Sequence, residues 1–569
     1  MAFSYGPCGK SQTCAAYYEQ LQNKVNLRLR NKGNLRLRNK GNLRLRMLSE
    51  CGKCDTLCGI RSKGKQNFME SKAAKKAKKG FLSIVFSRTA LILLLILLQL
   101  GMMFVLATKL SDYAIYVYGL QTVIQAGVII YIFNQKGNPE SSRTWILLVL
   151  LIPVFGCLFY IYVQMEFGTK YIGERLNKLK MATWPYLAEQ TEIVDELRVS
   201  KPANANLAYY MQKQLHFPTY RNTKAVYFPN GQAKFEMMLE KLEGARRYIF
   251  LEYFIVAEGY MWNSILDVLK RKAAKGVEVR FMYDGMNSIS NLPYSYPKRI
   301  RRYGIKCKMF SPIRPILTTT QNNRDHRKIC IIDGEYGFTG GINLADEYIN
   351  KIERFGYWKD TAVMLEGEAV QSLTMMFLQM WNVTEYKPED YRRYLTKRLP
   401  EMKRELGYMI PYGDSPFDHE DVGKEVYVHI LNHAKKYVHI MTPYLILDSE
   451  MTDALSRAAK SGIDVAVIMP HIPDKWYAFA VAKTHYKELI QAGVKIYEFT
   501  PGFVHAKIFV SDNDTATVGT VNLDYRSLFL HYECGVWMYQ TSAIAKLRED
   551  YLNTLGECQE VTYEEARGR

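Results

Sequence analysis

Net charge is what most of this chain lacks. The formal net charge is +20, yet residues 1–80 hold 19 Lys/Arg against four Asp/Glu, leaving +5 for everything that follows. A nucleic-acid groove needs basic residues spread over a folded face, and a basic tail does not supply that, so no nucleic acid is expected as a partner. Cysteine is also thin: ten in 569 residues make no disulfide scaffold. Five of them (Cys8, Cys14, Cys51, Cys54 and Cys58) crowd into the tail, where "CGKCDTLC" has neither a neighbouring histidine nor a second CxxC unit to complete a zinc site. Histidine is scarce too, and of the ten in the chain only His326, His433, His485 and His505 begin a His-x-Lys triplet.

The length suggests several domains and a sizeable core. Within the tail, "NLRLRNKGNLRLRNKGNLRLR" (Asn26 to Arg46) repeats an eight-residue unit almost three times, too short to build a packed layer. It reads as a disordered arm, and with "KAAKKAKKG" it suits an anionic lipid surface. Beyond residue 80 come three apolar stretches, expected to span a membrane at about 90–108, 112–133 and 144–163, since roughly 20 apolar residues cross the hydrocarbon. The first lies too far into the chain, and is too long, for a secretory signal. The basic arm belongs in the cytoplasm by the positive-inside rule. Three spans then put the rest of the chain on the outer side; if the second stretch were re-entrant, it would return to the cytoplasm.

After residue 165 strands alternate with helices. "RRYIFLEYFIV", "MWNSILDVLKRKAAKG" and "VEVRFMYDG" read as strand, helix and strand; "KKYVHIMTPYLI", "MTDALSRAAKSG" and "IDVAVIMPH" repeat the order. The expected fold class is therefore α/β, with helices on both faces of a sheet. Each series runs into "HRKICIID" (His326, Lys328, Asp333) or "HAKIFVSD" (His505, Lys507, Asp512). "TGGIN" and "VGTVN" follow, ending at Asn343 and Asn522, 17 residues after the histidine in both copies. The triplets at His433 and His485 lack both the Asp and the Asn. Two such units suggest pseudo-symmetric domains, about 166–395 and 396–569, after a basic arm (1–80) and a membrane region (81–165).

At these residues the chain resembles the phospholipase D superfamily, whose signature HxKxxxxD followed by G(G/S/T)xN is carried twice. "GGINLADEY", "GYWKD", "AGVKIYEF", "GFVHAKIFVSD" and "GTVNLDYRS" are similar to bacterial cardiolipin synthases. The match covers most of residues 115 to 569 and leaves out the arm and the first apolar stretch. The resemblance implies two phospholipase D-like domains and transfer of a phosphatidyl group from one phosphatidylglycerol to another, giving cardiolipin and glycerol through a phosphohistidine. Phosphatidylglycerol and cardiolipin would be the membrane partners. A phospholipase D hydrolase, a phosphatidylserine synthase and a catalytically dead scaffold are the competing readings.

The residues suit that chemistry. A phosphodiester reacts where a nucleophile, an acid and cationic donors converge, and imidazole serves as nucleophile or acid according to its protonation. Residues i and i+2 share a strand face, so His326 with Lys328, and His505 with Lys507, point into one cleft, the lysines neutralising phosphate oxygens. The resemblance makes His326 the nucleophile and His505 the acid, although pseudo-symmetry leaves the two exchangeable. It also gives Asn343 and Asn522 a phosphate-binding role, and Glu533 and Asp360 the orientation of the imidazoles. Asp333 and Asp512, members of the catalytic motif, fall on the opposite strand face by parity and read as supporting or turn-forming. His429, His439 and His531 read as ordinary core histidines. Lysines between the motif side chains oppose a cation, so neither a metal nor another cofactor is expected.

Overall fold

A computed structural model describes residues 88–109, 111–135, 139–164, 167–187, 191–311, 322–387, 389–396, 406–418 and 420–568. The basic arm, its repeats and its five cysteines lie outside the described residues. The first half contributes β1 (Thr223–Phe228), β2 (Tyr248–Tyr253), β3 (Glu278–Asp284), β4 (Lys306–Phe310), β5 (Lys328–Ile332), β6 (Tyr336–Gly340), β7 (Tyr357–Lys359) and β8 (Ala362–Gly367). The second contributes β9 (Tyr408–Asp414), β10 (Tyr437–Met441), β11 (Leu445–Ile446), β12 (Asp464–Pro470), β13 (Lys495–Phe499), β14 (Gly502–Val504), β15 (Ile508–Ser511), β16 (Thr515–Gly519), β17 (Leu523–Asp524), β18 (Glu533–Tyr539) and β19 (Cys558–Glu560).

The two main sheets have one plan. The first runs β1-β8-β6-β5-β2-β3-β4, the second β19-β13-β12-β10-β15-β16-β18-β9. In each, three parallel strands joined by helical crossovers (β2, β3 and β4; β10, β12 and β13) meet an antiparallel strand that follows the motif histidine, β5 or β15. Alternation along the strands divides the first core. Ile249, Leu251 and Cys330 pack beneath helices Gly231–Gly244 and Tyr260–Ala274, while Phe250, Ile329 and Ile331 enter a larger core continuous with the second half. The halves meet where β6 and β8 lie against β16 and β18. Helices Thr191–Ser200 and Pro202–Lys213, which precede β1, pack on the second half through Lys201–Asp514 (2.8 Å) and His429–Asn204 (3.2 Å).

In the apolar region, α1 (Arg88–Thr108) and α2 (Ala114–Asn134) have 21 residues each. Among the described residues only α2 is both long and apolar enough to cross a bilayer; the apolar runs Ile92–Val105 and Pro153–Val163 are shorter. The third stretch, 144–163, is not one continuous helix. It breaks at Pro153 into α3 (Pro139–Leu151) and α4 (Pro153–Gln164), which fold back on one another. Trp145 meets Tyr160 at 5.3 Å between ring centroids, and a Cβ on Gly156 would stand 2.7 Å from Val149 Cα. The cause is proline's missing N–H and its clash with the preceding turn. The Val149 carbonyl would normally accept from residue 153; instead it accepts from Gln125 Nε2 at 3.0 Å. Phe155 N–H, exposed by the new helix start, donates to Gln99 Oε1 at 3.0 Å. Two polar side chains in apolar helices thus satisfy the backbone of a broken one, as an apolar environment demands.

Candidate active site

Each motif histidine is held by a strand of the opposite half. His326 N–H donates to the Tyr532 carbonyl at 3.0 Å, and Tyr532 N–H to Arg324 O at 2.9 Å, so the segment entering β5 lies along the start of β18. The other side repeats this: β14 pairs in parallel with β7, and His505 N–H donates to Lys359 O at 2.7 Å. The carboxylates cross over with the strands. Glu533, in the second half, has both oxygens 2.9 Å from His326 Nδ1; Asp360, in the first, lies 2.7 Å from His505 Nδ1. An ionised carboxylate only accepts, so each Nδ1 carries the proton and Nε2 is left with its lone pair. A buried pair anchors the approach to His326: Asp284 at the end of β3 accepts from Arg324 Nε (3.0 Å), Arg324 Nη2 (2.5 Å) and Asp325 N–H (3.1 Å).

Lys328 donates to the His326 carbonyl at 2.5 Å, and Lys507 does the same to His505 O. Both ammonium groups are buried and act electrostatically on one another and on both carboxylates. Burial is the main force on the group. It lowers Lys328 to about 8 and Lys507 to about 7, and Lys328 pushes Lys507 down further. Burial likewise lowers His326 to about 3 against the pull of Glu533, and takes His505 well below the ordinary imidazole value, with both lysines adding to the fall. The carboxylates differ. Asp360 is raised to about 7 by burial, only partly opposed by Lys507. For Glu533 burial is outweighed by His326, His531 and Lys328, and it stays below the usual carboxylate range, accepting also from the Thr520 and Ser527 hydroxyls.

The structure therefore brings together His326, Lys328, His505, Lys507, Glu533 and Asp360. Asn343, after the Gly340 turn, accepts from Ile255 N–H (2.9 Å) and donates to the Tyr348 hydroxyl (2.8 Å), whose ring stands 5.5 Å from that of His505. Asn522 Oδ1 is buried without a hydrogen-bond partner. Asp333 and Asp512 stand apart from the reacting groups, at the far ends of β5 and β15, with φ of 57° and 54°. Asp333 accepts from the N–H groups of Arg246, Arg247 and Tyr248 at 2.7–2.8 Å, and Asp512 from those of Lys435, Lys436 and Tyr437 at 2.7–3.1 Å. They clip the turn to the start of the neighbouring parallel strand, which is why the motif carries them without their touching the cleft.

One residue that the sequence reads as core belongs to the site. The His531 ring lies 5.5 Å from that of His326, and its Nδ1 stops 3.7 Å from Glu533 Oε1; neither ring nitrogen has a hydrogen-bond partner. The position two residues before Asp360 is Trp358, 5.5 Å from His505, so the signal lay in the pseudo-repeat of "YWKD" and "HYE". Donor atoms of His326, His531 and Glu533 fall within 4.8 Å of one another, a spacing that a metal ion could use, while Lys328 sets a positive charge against the same space.

Residues 238–381 and 427–555 match the family model described as cardiolipin synthase, PLD-like domain, and residues 123–163 match the phospholipase D-nuclease N-terminal model. An uncharacterised protein of Streptococcus mutans serotype c is 53% identical over 436 residues, covering 77% of this chain and 94% of its own. Cardiolipin synthases of Alkalihalophilus pseudofirmus (35% identical; 78% of this chain, 88% of theirs) and Halalkalibacterium halodurans (33%; 79% and 89%) match over a similar extent. With two sheets of one plan and both histidine motifs meeting between them, the chain belongs to the cardiolipin synthases of the phospholipase D superfamily.

Proposed function

We propose that this protein is a phosphatidyltransferase that converts two phosphatidylglycerols into cardiolipin and glycerol. The observation that carries the reading is the crossed pair of carboxylate–imidazole contacts, Glu533 to His326 and Asp360 to His505, each at hydrogen-bond distance and each spanning the two halves. His326 Nε2 attacks the phosphorus of the first lipid, and the glycerol oxygen leaves with a proton from His505. The hydroxyl of the second lipid then gives its proton to His505 and attacks the phosphohistidine, which releases His326. Lys328 and Lys507 neutralise the phosphate oxygens through both steps.

The two carboxylates support this division of labour. Burial keeps His326 neutral, and a carboxylate ionised at all working pH values fixes its proton on Nδ1, leaving Nε2 to attack. Asp360, raised to about 7, lets its pair with His505 hold an extra proton near neutrality, as an acid must. The test is purified protein with phosphatidylglycerol alone, followed by lipid analysis. Cardiolipin with equimolar glycerol is expected; phosphatidic acid as the main product, whatever the glycerol concentration, makes the chain a hydrolase and sinks the proposal.

The protein sits in the cell membrane. We propose that α2 crosses it and that α1, 21 residues long but with a shorter apolar run (Ile92–Val105), crosses with it, whereas α3 and α4, at 13 and 12 residues, rise only about 20 Å each and re-enter the side they left. That even number of crossings sets the catalytic halves on the same side as the basic arm, the cytoplasm. This departs from the three-span expectation of an outer-side catalytic domain, and the fold-back at Pro153 is what supports the change.

A further inference from the structure

The helix Trp476–Gln491 (α6, counting Ser449–Lys460 as α5) is amphipathic in an unusual sense. Its inner face is buried, with Ala478, Ala482, Tyr486 and Leu489 in the core. The exposed side of its first half is apolar as well: Trp476 (78% exposed), Tyr477 (56%), Ala480 and Val481 (44%) lie on one arc, continued by Thr484 and then by the charged second half. An apolar stripe headed by Trp and Tyr on the outside of a helix marks an interaction surface rather than a solvated one.

Its surroundings identify the partner. The first turn of α3, where the re-entrant pair begins, docks beside this helix. Glu140 accepts from Ser449 N–H at 2.8 Å at the start of α5, and it acts electrostatically on His485 of α6; Ser141 bonds the Tyr525 hydroxyl. A helix start that enters the bilayer lies at its interface, so α6 is at headgroup level. The same helix start borders the cleft. Asp474 and Lys475, immediately before Trp476, both bond the Tyr444 hydroxyl (2.7 Å each) and lie near enough to His505 to act on its charge. Exposed Lys487 and Glu488 carry the arc into the second half of the helix with opposite charges.

We propose that the apolar face of α6, Trp476, Tyr477 and Val481, inserts into the headgroup region of the same bilayer that holds α1 to α4, seating the mouth of the cleft against its lipid substrates. The purpose rests on the phosphatidylglycerol reading above; the insertion does not. The first test therefore needs no activity. The full chain is placed in phosphatidylglycerol nanodiscs with brominated acyl chains, and tryptophan quenching is compared with that of Trp476→Phe. Loss of a quenched component in the variant is expected; identical quenching overturns insertion.

The second test compares turnover of Trp476→Ala/Tyr477→Ala/Val481→Ser on bilayer phosphatidylglycerol and on a short-chain, monomeric one. A fall of about tenfold on bilayers, with the monomeric substrate unaffected, is expected for loss of an interfacial anchor; equal loss on both overturns the proposal. If the triple variant instead halves the mass of the detergent-solubilised particle, the face binds a second copy and the proposal also fails. A wild type that makes no cardiolipin at all removes the functional reading, and the quenching result then stands alone.

Discussion

His326 and His505 occupy equivalent places in sheets of one plan, yet the groups behind them are not equivalent. Glu533 accepts from an imidazole and two hydroxyls and stays ionised, while Asp360 sits near 7. Replacing Glu533 by Gln removes a permanent charge and frees the wrong tautomer, so turnover should fall by about 10³-fold. Asp360→Asn resembles a state the residue already visits near neutrality and should cost much less; equal losses, measured as kcat at pH 7, would contradict the assigned roles. Two groups set the pH profile: as pH rises through about 7, Lys507 loses its charge and the Asp360–His505 pair its extra proton, so both kcat/KM and kcat should decline above about 7. With His326 lowered to about 3, no acidic limb is expected near 6.5. An acidic limb centred there would mean that the imidazole titrates like an exposed one.

At the level of elements, two devices stand out for what they hold in place. The first is the pair of aspartates that end the motifs. Asp333→Ala releases three backbone N–H groups at the start of β2 and should lower stability by about 2–4 kcal/mol, read as a shift in thermal midpoint, with turnover per folded molecule retained. The second is the glutamines of the membrane helices. Gln125→Leu leaves the Val149 carbonyl, already orphaned by Pro153, without a donor in an apolar setting, and should cost about 1–3 kcal/mol in nanodiscs. Pro153→Ala in the Gln125→Leu background should recover part of that loss, because the restored N–H supplies the missing donor. Absence of any recovery would show that the break does not originate at the proline.

For the molecule as a whole, the proposed re-entry of α3 and α4 makes a sidedness prediction. A single cysteine at exposed Glu240 should react with an impermeant maleimide only after the cells are opened; labelling of intact cells would restore the three-span arrangement. Deleting residues 2–79 should leave turnover in detergent unchanged and weaken only salt-sensitive binding to anionic vesicles, since a basic arm acts through screened charge.

Much of this was legible in the sequence because it depends on local pattern. The doubled His-x-Lys motif, the 17-residue offsets to Asn343 and Asn522, and the strand–helix–strand order of each half follow from periodicity and spacing along a continuous chain. Strand parity alone set Asp333 and Asp512 apart from their histidines. Tertiary structure decided what depends on approach between distant segments. It decided that Glu533 serves His326 and Asp360 serves His505, each across the halves, and that His531 faces the site instead of the core. Both carboxylates are buried, and the partners gathered around each, which no spacing reports, divided them into one held ionised and one raised to about 7. Hydropathy reads Thr144 to Val163 as one continuous stretch because it sums apolar residues without asking where each carbonyl finds its donor, whereas the structure breaks it into two helices. Pro153 removes one donor, and Gln99 and Gln125, from helices far back in the chain, make the fold-back tolerable.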